Sequence, residues 1–154
     1  MKNQCFAFVF ARGGSKGLPK KNILEIGGIP LVAHSINMAK SINEIKRVFV
    51  STDCDEIASI SKNYGAEIIL RPSELATDKS PEWLSWQHSI KHVKKRYGHF
   101  DCFLSLPSTS PLRSKEDILN SLNLYNENVD IVLTMTKSNR NPWFNMVQVD
   151  SSQN

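Results

Sequence analysis

No stretch of this chain approaches the ~20 consecutive apolar residues that span a bilayer, so it is read as non-membrane. Cysteine is sparse: Cys5, Cys54 and Cys102 are widely spaced, and no CxxC pair occurs. That argues against a disulfide framework and against a zinc knuckle, and predicts free thiols in a reducing compartment. No signal peptide precedes the first apolar run, so the expected location is cytoplasmic. Repeats, low-complexity tracts and linkers are missing as well. The net charge of +4 is mild and concentrated early in the chain, which does not suit a nucleic-acid-coating protein. With 154 residues, 40% of them hydrophobic and 22% charged, the chain is expected to form a single domain with its own core.

The pattern is one of alternating apolar runs and amphipathic segments. CFAFVFA (5–11) is a continuous apolar run of the kind a strand buried on both faces requires. Gly27-Gly28 mark a turn, and Pro30 suits the first turn of a helix whose stripe is Leu31, Ser35, Met38 and Ile42, widened by Val32 and Ala39. RVFVS (47–51) reads as a second strand. Asp53 and Glu56 have capping-box spacing ahead of a helix running to about Tyr64. Gly65 stops it, and AEIIL (66–70) is a third strand. Pro81 opens a helix with Trp83, Trp86, Ile90, Val93 and Tyr97 as its core stripe, stopped by Gly98. FDCFLSL (100–106) is a fourth strand, Ser114 caps a helix carrying Ile118, Leu122 and Tyr125, and VDIVLTM (129–135) is a fifth strand. WFNMVQVDSSQN reads as one more strand entering a polar end. Strands alternating with helices predict an α/β fold: an open, mostly parallel sheet of βαβ units, Rossmann-like and three-layered.

In such sheets ligands bind beyond the carboxyl ends of the strands. The loops Arg12–Asn22, Arg71–Ser80 and Pro107–Arg113 should therefore share one cleft. The first carries three glycines (Gly13, Gly14, Gly17) and four cations (Arg12, Lys16, Lys20, Lys21) directly after a buried strand. Cations crowded into a glycine loop repel one another unless an anion joins them. Glycines let backbone N–H groups approach that anion, arginine can bind phosphate oxygens bidentately, and lysines act as point charges. The loop is neither GxxxxGK[ST] nor GxGxxG, which sets aside the Walker and dinucleotide patterns.

ARGGSKGLPKKNI, followed in order by GGIPLVAHSI, VSTDCDEIA, ILRPSELATD and STSPLRSKEDI, resembles the CMP-sialic acid synthetases, the acylneuraminate cytidylyltransferase family. The resemblance runs over about residues 5–136. It implies a nucleotide-diphospho-sugar transferase-like fold, and a reaction in which the anomeric hydroxyl of a nonulosonic acid attacks the α-phosphate of CTP and pyrophosphate leaves. It implies that Arg12, Gly13, Ser15, Lys16 and Lys21 hold the triphosphate, with Arg12 and Lys21 catalytic through charge stabilisation. By the same likeness Asn22 and Arg71 help to read cytidine, and Thr77–Ser80 lies near base and ribose. Pro107, Ser108 and Thr109 would line the sugar side; Arg113 would either join them or tie its loop to a helix.

Some members carry Leu-Gln-Pro-Thr-Ser-Pro-Leu-Arg, whose glutamine touches the sugar. Here Leu106-Pro107-Ser108-Thr109-Ser110-Pro111 has none, which leaves the sugar unassigned: a sialic-acid-like acid, or another such as Kdo. The family also implies Mg²⁺, held by an aspartate pair in a second half, and a homodimer. No such pair is found in this sequence, so the chain is expected to be a truncated nucleotide-binding domain, without metal ligands of its own. Read as a different class, it is a non-catalytic nucleotide-binding module. Asp53-Cys54-Asp55 spells DxD, but its position favours helix capping. His88 and His92 are not HExxH, and zinc is not expected. Lys91, Lys94, Lys95 and Arg96 suit a solvated helix end.

Overall fold

A computed structural model describes residues 4–135. Its contacts divide into two units, residues 1–115 and 116–154.

The first unit is built on strand β1 (Cys5–Phe10). It pairs in parallel with β4 (Ile45–Thr52) on one side and β6 (Cys102–Ser105) on the other. β5 (Glu67–Leu70) adds to β4, also in parallel, giving the order β5-β4-β1-β6. The expected open parallel α/β sheet is therefore present. Its strand order reverses at β1, the kind of switch point beside which α/β sheets open a ligand crevice.

β1 shows why the sheet is covered on both faces. Phe6, Phe8 and Phe10 alternate with Cys5, Ala7 and Val9, so aromatic residues share one face and small ones the other. On the aromatic face Phe6 and Phe8 form a buried cluster with Phe49, Ile69, Phe100 and Val93, the last from α3 (Glu82–Tyr97). Phe8 stacks on Phe49 at 5.3 Å and on Phe103 at 4.5 Å between ring centroids, within the range of favourable offset pairs. The small-residue face lets α1 (Leu31–Lys40) and α2 (Asp55–Asn63) approach closely. Val32, Ala33, Ile36 and Ala39 of α1 are fully buried.

Two proline assignments move by one place. Pro30 and Pro81 sit at the cap positions of α1 and α3, not inside the first turn. Before α1 the chain makes a hairpin of β2 (Glu25–Ile26) and β3 (Ile29–Pro30). Its two-residue loop is Gly27 (φ 61°) and Gly28 (φ 77°), and two positive φ values in succession are what a type I′ turn demands.

The stripe expected on α3 is corrected at one end. Ser85, Ser89 and Val93 are its buried residues; Trp86, Ile90 and Tyr97 are half-buried, and Trp83 is 57% exposed. Small serines let the helix lie close to the sheet, and this turns the bulkier Trp83 outward.

In the second unit α4 (Lys115–Leu124) follows Ser114 directly. The Asn126 side chain then accepts the Asn128 N–H at 2.9 Å, a local turn that ends the helical run. The fifth strand expected at 129–135 is not formed, and Ile131, Leu133 and Met135 are 70%, 76% and 92% exposed. An apolar run becomes a strand only where a neighbour takes its backbone N–H and C=O groups. The strand expected in WFNMVQVDSSQN lies outside the described residues. Among those residues no helix is long and apolar enough to cross a membrane.

Candidate nucleotide-binding cleft

The loops after β1, β5 and β6 converge on a cleft of about 550 Å³. Buried hydrogen bonds fix two of its walls. The Ser108 hydroxyl, on the loop after β6, donates to Asn22 Oδ1 at 2.7 Å. Asn22, in the middle of the short 3₁₀ turn Lys21–Ile23, in turn donates from Nδ2 to the Arg12 carbonyl at 3.0 Å. Asn22 and Ser108 are 5% and 4% exposed, so this amide is as much a brace between loops as a surface group. One N–H and one lone pair of the amide have no partner in these bonds.

The third wall starts at Arg71. Its backbone N–H continues the ladder to the Thr52 carbonyl at 2.8 Å, and its guanidinium donates to the Ser51 hydroxyl at 3.2 Å and the Ser51 carbonyl at 2.6 Å. The guanidinium also lies over the Phe10 ring, 5.7 Å from its centroid. Burial pulls the Arg71 pKa below the usual arginine value, opposed by the charges of Asp53 and Glu82. The Ser80 backbone N–H donates to Thr77 Oγ1 at 3.1 Å, while the Ser80 hydroxyl is buried without a partner at the cleft.

Arg12, Ser15, Lys16, Lys21, Asn22, Arg71, Ser80, Ser108 and Thr109, all expected from the sequence, line this one space. Gly13 and Pro107 do not. The Gly13 N–H donates to Asp53 Oδ1 at 3.0 Å. The Pro107 carbonyl faces inward, accepting from Ser35 Oγ at 3.3 Å and from the Arg113 guanidinium. Burial also lowers the Arg113 pKa. Arg113 thus closes its own loop, and the structural alternative for it is the one the geometry supports.

Asp53 corrects a further expectation. The residue at the cap of α2 is Cys54, with no side-chain cap bond, so the capping box does not form. Asp53 instead pins the start of the glycine loop through Gly13. The loop lies so close to α2 that a Cβ on Gly13 would stand 2.9 Å from Cys54 Cβ. Lys20, at φ 55°, is drawn out of the cleft to Glu56 at 2.9 Å.

Sequence reasoning missed Asp78. Its carboxylate accepts from Arg12 Nη2 at 2.5 Å and also pairs with Lys16 Nζ, joining the loop after β5 to the loop after β1. The hydrogen bond from Lys16, then that from Arg12, holds the Asp78 carboxyl below the usual carboxylate range. Only its place in the segment Thr77–Ser80 hinted at the site. The His88 and His92 rings stand 6.5 Å apart, and among the described residues no group of three or more His, Cys, Asp or Glu side chains could hold a metal.

Comparison with known proteins agrees with this geometry. The sequence matches the family described as Cytidylyltransferase over residues 6–149. It is 37% identical over 142 residues to an N-acylneuraminate cytidylyltransferase of Escherichia coli O18:K1:H7, covering 91% of this chain and 33% of that protein. It is 33% identical over 148 residues to a CMP-N,N'-diacetyllegionaminic acid synthase of Campylobacter jejuni, covering 94% of this chain and 63% of the relative. The chain thus spans between a third and two thirds of the length of these relatives. A solved CMP:2-keto-3-deoxy-manno-octonic acid synthetase complexed with CTP shares the fold, with a TM-score of 0.64 at 22% identity over 78% of this chain and 46% of that one. The parallel sheet, the loops gathered at its carboxyl edge and the match along almost the whole sequence place this chain in the cytidylyltransferase family.

Proposed function

We propose that this chain supplies the CTP-binding part of an enzyme that transfers CMP from CTP to a sialic-acid-like nonulosonic acid and releases pyrophosphate. The observation that carries the reading is the convergence of Arg12, Lys16 and Lys21 on one side of a cleft whose other walls bear Arg71, Ser80, Ser108 and Thr109. Three cations suit a triphosphate, and the walls leave room for a base and a sugar acid.

The chemistry asks little covalent help of the protein. The anomeric hydroxyl oxygen forms a bond to the α-phosphorus, the bond from that phosphorus to the bridging oxygen breaks, and the hydroxyl proton is lost to solvent or base. Charge grows on the departing pyrophosphate. Arg12 and Lys21 stabilise that charge, Lys16 and Ser15 position the phosphates, and the Ser108–Asn22–Arg12 brace holds the backbone from which the first loop springs. Asn22 and Arg71 read the cytosine with the donors and acceptors their internal bonds leave over. Ser108, Thr109 and the Pro107 turn border the sugar.

A magnesium ion belongs to the proposal for the whole protein, but the described residues do not fit one. Asp78, a carboxylate at the cleft, is already paired with two cations, and among the described residues no group of three or more His, Cys, Asp or Glu side chains gathers there. A cytoplasmic location and a homodimer complete the reading; the three free cysteines support a reducing compartment. The test is pyrophosphate release from CTP with a panel of nonulosonic acids. Release with a sialic-acid-like acid supports the reading. CTP binding without turnover of any acid favours the non-catalytic module for this chain, and turnover with Kdo alone reassigns the sugar.

A further inference from the structure

The cleft already contains an anion of its own. Asp78 spends one carboxylate oxygen on Arg12, at 2.5 Å, and the other on Lys16. Lys16 is otherwise an 81% exposed side chain on a glycine loop, with no packing to fix it. What holds it against Arg12 is the shared carboxylate, which spans the two cations much as two phosphate oxygens would. Lys21 lines the same cleft and forms no ion pair among the described residues. Arg71 lines it too, but its guanidinium is bonded to the Ser51 hydroxyl and carbonyl, so among the cations of the first loop that line the cleft Lys21 is the one left without an acidic partner to meet an incoming ligand.

We infer that Asp78 is a specificity-determining residue: its carboxylate occupies Arg12 and Lys16 until a ligand bearing several phosphate groups displaces it, so single-phosphate anions are refused and triphosphates admitted. This rests on the reading of the cleft as a triphosphate site. The physical argument is an exchange. A lone phosphate that takes the place of Asp78 swaps one anion for another on the same two cations and gains little. A triphosphate covers both cations, reaches Lys21 as well, and repels the displaced carboxylate. That carboxylate is 37% exposed, so water takes it up readily.

Calorimetric titration of the full chain with inorganic phosphate, tripolyphosphate and cytidine tests this, in wild type and in Asp78→Asn. Each exposed charge pair removed shifts such an equilibrium by roughly a factor of one to five, so Asp78→Asn should bind tripolyphosphate about three- to tenfold more tightly. It should also acquire measurable inorganic phosphate binding, and its cytidine affinity should not change. Glu74→Gln removes the same charge from the same segment without touching either cation, and should gain nothing. Asp78→Ala repeats the test without the amide, and thermal melts confirm that each variant is folded. Unchanged or weaker tripolyphosphate binding in Asp78→Asn, or an equal gain in Glu74→Gln, overturns the inference while leaving the triphosphate reading in place. If wild type binds neither tripolyphosphate nor CTP, the reading of the cleft falls and the inference falls with it.

Discussion

Ser108 donates a buried hydrogen bond to Asn22 at 2.7 Å across 86 residues of sequence, and this bond joins the loops on either side of the sheet's switch point. Ser108→Ala leaves the Asn22 carbonyl short of a buried partner and should cost about 1–2 kcal/mol. Asn22→Ala also releases the Arg12 carbonyl and should cost more. Urea denaturation measures both. Stability equal to wild type in both variants would mean the brace contributes nothing.

The glycine loop should respond unequally to alanine. At Gly13 a new Cβ meets Cys54 Cβ at 2.9 Å, and overpacking of that kind costs about 1–3 kcal/mol. Gly14 and Gly17 have nothing within 4 Å of the same position, so their alanine variants should fold with near wild-type stability. Because the collision is with Cβ, Cys54→Gly should relieve Gly13→Ala, whereas Cys54→Ala should not. Equal losses at all three glycines would contradict the close approach of loop and helix.

Asp78 should titrate below ordinary exposed carboxylates, with Lys16 as the larger cause and Arg12 the second. A carboxyl depressed by folding adds stability that is complete above its unfolded pKa. That stability is lost as the pH falls through the folded value. Following the Asp78 carboxyl carbon by NMR should show this low midpoint, rising in Lys16→Ala. A midpoint in the ordinary carboxylate range would mean the ion pairs do not persist in solution.

Removing Arg12 or Lys21 should leave the fold intact, since neither belongs to the buried core. Losing one positioned cation at a transferring phosphoryl group typically costs about 10²–10³ in turnover. Pyrophosphate release by Arg12→Ala and Lys21→Ala measures it, and near wild-type turnover in either would remove that residue from its role.

Much of the fold could be read from local pattern. The four sheet strands stand in short, mainly apolar runs, and Gly65 and Gly98 mark helix ends at positive φ where glycine is at ease. The short hairpin flanking Gly27-Gly28 escapes periodicity because two residues per strand show no alternation. VDIVLTM has strand composition, but composition says nothing about whether a neighbour is present. Trp83 fits a helical stripe by spacing, yet Ser85 and Ser89 decide which face packs. Within the cleft, clustered cations announce themselves over ten residues of sequence. The acidic partners of that loop do not: Asp53 reaches the Gly13 backbone N–H from 40 residues away, and Asp78 reaches Arg12 from 66. Asp53 had a plausible local meaning as a helix cap that concealed its role in tertiary structure, and nothing local to Asp78 pointed to Arg12.

The central claim is that this cleft holds CTP through the cations of the first loop. Calorimetric titration of the chain with CTP, UTP, GTP and ATP tests it most directly, in wild type and in Lys21→Ala. The account predicts that CTP binds most tightly and that Lys21→Ala weakens it sharply. A preference for ATP, or CTP binding indifferent to Lys21, would contradict it.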